Sequence, residues 1–233
     1  MQLMISVVSV EEAVQAMAGK ADILDVKNPD EGSLGAQPPR VLRAIRKAVP
    51  GVRLSVALGD LPNLPGTAAL AGFAAAACGA DFIKAGLLGT GSLADAARLM
   101  REICQAVSEF PGVEVIAAGY ADSDRAGTLD PGLLPAIASQ AGAAGCLIDT
   151  AIKDGCRLFD FLSVERLRNI GKEAHASGLL FGLAGSLREE DLLLVRDLGA
   201  DVVGIRGAVC GDGRRGGPLE ADRVRRIVEI VHA

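Results

Sequence analysis

Two periodicities alternate along this chain. Short β-rich apolar runs recur at 3–8 (LMISVV), 22–27 (DILDVK), 52–58 (VRLSVAL), 81–86 (DFIKAG), 113–118 (VEVIAA), 145–150 (GCLIDT), 179–184 (LLFGLA) and 201–206 (DVVGIR). Helical spacing fills the intervals at 10–18, 38–48, 67–78, 92–108, 131–141, 163–176, 187–198 and 219–231. The stretch 92–108 is the clearest, with Leu93, Ala96, Ala97, Met100, Ile103, Cys104 and Val107 on one stripe and Ser92 placed to cap it. Four helix-to-strand turns share one form: AGKADILDV, ACGADFIKA, QAGAAGCLI and DLGADVVGI. In each, a glycine just past the helix suits a left-handed cap before a buried strand.

Strand and helix alternate eight times, and the same turn keeps returning. The pattern predicts an α/β fold, a parallel TIM (β/α)8 barrel of ordinary size, as one domain over residues 1–233. An open doubly wound sheet is the alternative; even spacing of the units favours closure.

Composition narrows the class. The chain carries a net charge of −5, only 3% aromatic residues and no tryptophan, which argues against a nucleic-acid partner. The longest uncharged run, Leu61 to Ala80, contains Pro62, Asn63 and Pro65 and reads as a buried helix, so no membrane association is expected. The start lacks the basic region of a signal peptide. Five cysteines without a C-x-x-C point to a reducing cytoplasm and no disulfide framework. His175 and His232 lie far apart, so a histidine metal site or a Ser-His-Asp triad has little support, and no metal or cofactor is called for. Homo-oligomerisation is left open.

The charged residues at the strand ends carry the chemistry. In a barrel the active site lies at the C-terminal ends of the strands. Alternation along DILDVK places Ile23, Asp25 and Lys27 on one face and Leu24 and Val26 on the other. The same reasoning brings Asp25, Lys27, Lys84, Asp149 and Arg206 into the mouth, with Lys153 just beyond. The chain has six lysines against eighteen arginines, so lysine at these positions calls for a lysine-specific reason. One account is structural: the lysines pair with nearby aspartates and hold the loops. The other is chemical. A lysine in a partly dry, cationic pocket loses its proton more readily and can attack a carbonyl or take a proton, as in class I aldolases.

Small-residue turns follow the seventh and eighth strands, GLAGS (182–186) and GIRGAVC (204–210). Backbone N–H groups of Gly185, Ser186, Gly207 and Ala208, with the charge of Arg206, suit a substrate phosphate. Tight turns alone also explain those glycines. GDGRRG (211–216) reads as a mobile lid or loop and not a dinucleotide site. DSD (122–124) is a weak cation candidate, LGTGS (88–92) a weak second phosphate site, and Cys156 and Cys210 flank the mouth as structural thiols.

Longer motifs add a resemblance. DVKNPDEGSLGA, IKAGL, AAGYADSDRAG, DTAIKDG…LFDF and LAGS…VGIRGAVC resemble the (5-formylfuran-3-yl)methyl phosphate synthase family, also called 4-(hydroxymethyl)-2-furancarboxaldehyde-phosphate synthase, from first strand to last helix. The resemblance implies a TIM-barrel lyase that joins two glyceraldehyde 3-phosphates into a phosphorylated furan aldehyde for methanofuran-type C1 carriers. It implies Lys27 as the Schiff-base residue and Lys84 as a proton acceptor, with Asp25, Asp149 and Lys153 around them. Cys156-Arg157 and CGDGRRGG depart from the pattern and touch only loop details. Two other readings stand beside it: an aldolase or isomerase acting on another sugar phosphate, and a non-catalytic barrel that binds phosphometabolites.

Overall fold

Eight parallel strands close on one another in sequence order, with β8 pairing back to β1. The computed structural model describes residues 1–211, 213 and 216–233. The strands are β1 Gln2–Val7, β2 Ile23–Val26, β3 Arg53–Pro62, β4 Phe82–Gly89, β5 Glu114–Tyr120, β6 Gly145–Asp149, β7 Leu180–Leu183 and β8 Val202–Ile205. The helices are α1 Val10–Ala18, α2 Pro39–Ala48, α3 Pro65–Ala77, α4 Leu93–Val107, α5 Ser123–Ala126, α6 Leu134–Ala141, α7 Leu158–Phe161, α8 Val164–Ala176, α9 Leu192–Asp197 and α10 Ala221–His232. The barrel reading therefore holds and the open sheet does not.

Alternation along each strand splits the core in two. Outward residues such as Leu3, Ile5, Leu24, Val26 and Ile83 pack under the helices. Inward residues, among them Met4, Ile23, Ala57, Ile116, Ala118, Tyr120, Leu147 and Ala184, fill the barrel. Ser92 caps α4 by accepting from the Asp95 N–H, as its position predicts.

The repeated turns have a second purpose that their glycines do not reveal. The aspartate opening β2, β4 and β8 accepts a hydrogen bond from the preceding strand: Asp22 from Leu3 N (2.7 Å), Asp81 from Leu54 N (2.7 Å) and Asp201 from Phe181 N (2.8 Å). Each carboxylate thus stitches neighbouring strands at the N-terminal end of the barrel. Ala144 stands at the corresponding place before β6 and keeps only the backbone bond, to Val115 O, that the three aspartates also make to Leu3 O, Leu54 O and Phe181 O.

Four expectations need correcting. Gly79, Gly142 and Gly199 are left-handed, but at the first turn that conformation belongs to Lys20 (φ 68°). Gly19 is right-handed there, and a Cβ on it would lie 2.4 Å from Val224 Cβ, so close packing explains the glycine. The uncharged run does not form a buried helix: Leu70 on α3 is 73% exposed and Phe73 is also exposed. The helix expected over 187–198 shortens to α9 behind a 3-10 turn, Glu189–Asp191, because the Asp191 carboxylate is taken by Arg188 N and the Arg157 guanidinium. Likewise a 3-10 turn, Pro131–Leu133, precedes α6. No helix among the described residues is long and apolar enough to cross a membrane.

Asp81 also accepts from Arg46 Nη2 at 2.5 Å. Asp81→Ala strands the Leu54 N–H and removes the anion beside Arg46, whose guanidinium keeps its bonds to Gly79 O and Val52 O. It is expected to lower the unfolding free energy by about 1–3 kcal/mol, read by urea denaturation. Asp81→Asn, which keeps an acceptor oxygen, is expected to lose less.

Candidate active site

Strand β2 ends inside the mouth because its register leaves no other choice. Leu24 and Val26 belong to the outer core, so Asp25 and the following Lys27 face inward. Asp25 is in register with Ser6 on β1 and Ser55 on β3. Ser6 Oγ donates to Asp25 Oδ2 at 3.3 Å. Lys84, from the middle of β4, brings its Nζ to 2.8 Å from Asp25 Oδ1. Lys27 Nζ stands 3.9 Å from Asp25 and 3.9 Å from Asp149, bridging the two acids.

Asp149 ends β6 and is held on every side. Lys153 Nζ donates to its Oδ1 at 2.5 Å, and the Thr150 N–H donates to the same oxygen at 2.8 Å. Lys153 also donates to Thr150 Oγ1 at 3.0 Å. Ser33, carried over the mouth by the β2–α2 loop, donates to Thr150 O at 2.9 Å and faces Asp149 Oδ2 at 3.4 Å. The result is a charged row, Lys84–Asp25–Lys27–Asp149–Lys153. Asp25, Lys84, Asp149 and Lys27 are each no more than 5% exposed.

Burial sets the electrostatics of this row. Loss of water pushes the Lys27 amine down from 10.5 to about 7; Asp149 and Asp25 resist the change, and the Lys84 and Lys153 charges add to it. Burial disfavours the Asp25 carboxylate, but the Lys84 and Lys27 charges outweigh it and hold Asp25 below the ordinary carboxylate range. Asp149 follows the same logic: Lys153, Lys27 and the Thr150 N–H overcome desolvation and keep it ionised well below the usual range. The row therefore presents two anions and an amine that is half neutral near neutral pH.

A cavity of about 570 Å³ opens above it. The five charged residues Asp25, Lys27, Lys84, Asp149 and Lys153 line one side, and Gly185, Ser186, Arg206, Gly207 and Ala208 line another. All ten residues nominated from sequence border this one space. Gly185 (φ 109°) and Ser186 (φ 51°) are consecutive left-handed residues, and a side chain on Gly185 would meet Thr150. Arg206 is more engaged than its sequence suggests. Its guanidinium donates to both Glu12 carboxylate oxygens at 2.8 and 3.0 Å and to Ser6 O at 3.0 Å, tying β8 to the start of α1.

Other nominated segments have structural tasks. Asp122 is buried and accepts from Ala151 N (2.7 Å) and Ile152 N (2.9 Å), anchoring the loop after β6. Among the described residues no group of three or more histidine, cysteine, aspartate or glutamate side chains is arranged to hold a metal ion. None of the five cysteines forms a disulfide. Of the GDGRRG segment read as a lid, Asp212, Arg214 and Arg215 lie outside the described residues. Ser6, Ser33 and Thr150, which orient the aspartates, went unnominated. Alternation from Met4 marks Ser6 as inward; nothing in the local sequence marks Ser33.

These features define a class: a parallel (β/α)8 barrel with a buried lysine–carboxylate row beside a small-residue cradle at the C-terminal mouth. The family model for 4-HFC-P synthase matches residues 3–228. A (5-formylfuran-3-yl)methyl phosphate synthase of Methanopyrus kandleri is 48% identical over 99% of this chain and 98% of its own. One of Methanocaldococcus jannaschii is 45% identical over 99% of each. The chain belongs to the 4-HFC-P synthase family of enzymes. Among solved structures, phosphoribosyl anthranilate isomerase of Thermus thermophilus matches the fold at 21% identity, covering 100% of this chain and 98% of its own, with a TM-score of 0.63.

The Lys27 shift yields a test. Between about 7 and 10.5 the folded chain binds fewer protons at Lys27 than the unfolded chain, so this group makes stability rise with pH across that window. Acylation of Lys27, followed by mass spectrometry, is expected to titrate with a midpoint near 7. Asp149→Asn moves the midpoint down, because an attractive anion is gone; Lys84→Met moves it up, because a repelling cation is gone. A midpoint near 10 in the unaltered protein refutes the assignment.

Proposed function

We propose that this protein converts two molecules of glyceraldehyde 3-phosphate into (5-formylfuran-3-yl)methyl phosphate, releasing one phosphate and water through a Lys27 Schiff base. The observation that carries the reading is Lys27 itself, an amine with a near-neutral pKa, bordering the same cavity as the Gly185–Ser186 and Gly207–Ala208 turns. The names of the relatives supply the reaction type.

The neutral Lys27 amine adds to the aldehyde of one triose phosphate, and the carbinolamine loses water to give an iminium. The iminium accepts an electron pair, which acidifies the neighbouring C–H bond. Lys84, across Asp25, gives its ammonium proton to that departing water and, now neutral, takes the proton from carbon. The enamine so formed can expel phosphate or attack the second aldehyde; ring closure with loss of water forms the furan, and hydrolysis of the iminium frees Lys27 and the product aldehyde. Asp25 and Asp149 keep compensating charge beside each amine throughout. Backbone N–H groups of the two turns, the Arg206 guanidinium and the Lys153 ammonium face the phosphates. The conversion breaks C–O bonds without net oxidation, which makes the enzyme a lyase with no need of a redox cofactor. Its product supplies the furan of methanofuran-type C1 carriers, in a cytoplasmic pathway.

Purified protein given only glyceraldehyde 3-phosphate is expected to produce the furan phosphate, seen as ultraviolet absorbance and by product mass. Borohydride added during turnover is expected to fix substrate carbon on Lys27. Lys27→Ala abolishes that adduct, and an adduct that persists unchanged sinks the Schiff-base role. Lys84→Ala is expected to slow C–H exchange by about 100-fold or more, in the range of general base catalysis. An isomerised triose without furan would indicate a sugar-phosphate isomerase instead.

A further inference from the structure

A second titratable cluster adjoins the mouth, and a backbone irregularity creates it. Ala57 of β3 pairs with Lys84 of β4, but the next partners are Asp60 and Gly86, so β3 spends three residues where β4 spends two. The extra residue is a β-bulge, and Gly59 within the slip has φ 101°. Strict alternation from the inward Ala57 would turn Gly59 inward and Asp60 outward. The bulge reverses this and aims the Asp60 carboxylate into the barrel.

Tyr120 meets it there. This is the only tyrosine of the chain, fully buried in the inner core, and its hydroxyl donates to Asp60 Oδ1. Gly86, two residues after Lys84, makes the space. A Cβ at Gly86 would lie 2.3 Å from Asp60 Oδ1 and 2.7 Å from the Tyr120 hydroxyl. Asp60 Oδ2 points the other way, towards Gly32 of the loop that carries Ser33. Burial and the Asp149 charge raise the Asp60 pKa to about 6, and Lys153 opposes them. The titratable groups acting on it are thus Tyr120 from β5 and Asp149 and Lys153 from the end of β6, while β4 presents Gly86 beside it.

Formation of a furan requires hydroxyl groups to leave as water, and a leaving hydroxyl needs a proton. Lys27 is occupied as the iminium. Asp25 and Asp149 are held as anions by their lysines. We infer that Asp60, held by Tyr120, is the general acid that protonates the departing hydroxyl, and that the pair serves the dehydration steps. The inference rests on the furan-forming reading above. In the step, the Lys84 amine, having shed its own proton to solvent, takes the carbon-bound proton and the C–H electrons become the new C=C bond. The C–O bond breaks as the Asp60 carboxylic acid hands its proton to the oxygen, releasing water. The proton that Lys84 then sheds restores Asp60. Tyr120, by donating to Oδ1, keeps the acidic proton on Oδ2.

The test uses the full chain with glyceraldehyde 3-phosphate and compares Asp60→Asn and Tyr120→Phe with the unaltered protein, thermal melting serving to check folding. Asp60→Asn is expected to keep borohydride trapping at Lys27 and C–H exchange, while furan formation falls by about 100-fold or more. A phosphorylated six-carbon aldehyde heavier than the product by water should accumulate. In the unaltered protein kcat is expected to fall as pH rises past about 6, and this arm is absent in Asp60→Asn. Tyr120→Phe moves the arm upward, because the carboxylate loses a donor that favours its charged form. Furan formation by Asp60→Asn within three-fold of the unaltered rate overturns the proposal. So does loss of trapping together with furan, which marks a merely structural pair. If the unaltered protein makes no furan at all, the reaction assignment itself falls, a result distinct from either.

Discussion

Everything at the mouth depends on how Asp25 is neutralised. A carboxylate that is 1% exposed has lost its water, and only close opposite charge makes that tolerable. Lys84 provides it at 2.8 Å, while Lys27 stands back at 3.9 Å from Asp25 and again from Asp149. Distance separates the two amines. Coulomb attraction falls as 1/r and contact hydrogen bonding falls faster, so Lys27 carries the full cost of burial with looser compensation. That is why its amine reaches neutrality near pH 7. The row as a whole sets three lysines against two aspartates, an excess of basic groups suited to an anionic ligand.

The barrel has to make room for side chains this long. Near the mouth the even strands contribute Asp25, Lys27, Lys84, Asp149 and Arg206. The inward positions beside them on odd strands are Ser6, Ser55, Ala57, Ala118 and Ala184. Alternate strands supply alternate layers in such barrels. Here the small layer acts as spacer and partner to the large one. Ser6 shows both parts: short enough to admit Lys27, polar enough to bond Asp25. A valine at that position would fill the gap and leave the carboxylate with one donor fewer.

What the sequence discloses follows from this arrangement. Lys27, Lys84 and Asp149 are legible because period-two alternation survives to the ends of β2, β4 and β6, and because lysine is scarce in this chain. Asp60 is invisible for the opposite reason. The bulge at Gly59 breaks the period, so alternation assigns Asp60 to the wrong face. Long-range partners are hidden too. Nothing near Arg206 announces that its guanidinium is spoken for by Glu12, 194 residues away. Nor does the β2–α2 loop reveal that Ser33 reaches across to β6. Local pattern fixes direction of side chains within regular strands; it carries no information where the strand slips or where a loop crosses the barrel.

The two ends of the even strands divide their labour. At the N-terminal end Asp22, Asp81 and Asp201 accept N–H groups from the preceding strands and close the seams between β1–β2, β3–β4 and β7–β8. These bonds stabilise the sheet far from the cavity. At the other end of the same strands stand groups that destabilise, above all a desolvated amine. Placing stabilising carboxylates and desolvated amines at opposite ends of one strand lets the register that pins the first also aim the second. A slip of one residue in β2 would release Asp22 from Leu3 and turn Lys27 out of the barrel in the same movement. The precision of the mouth is therefore supported from the bottom of the barrel, by residues that never approach a substrate.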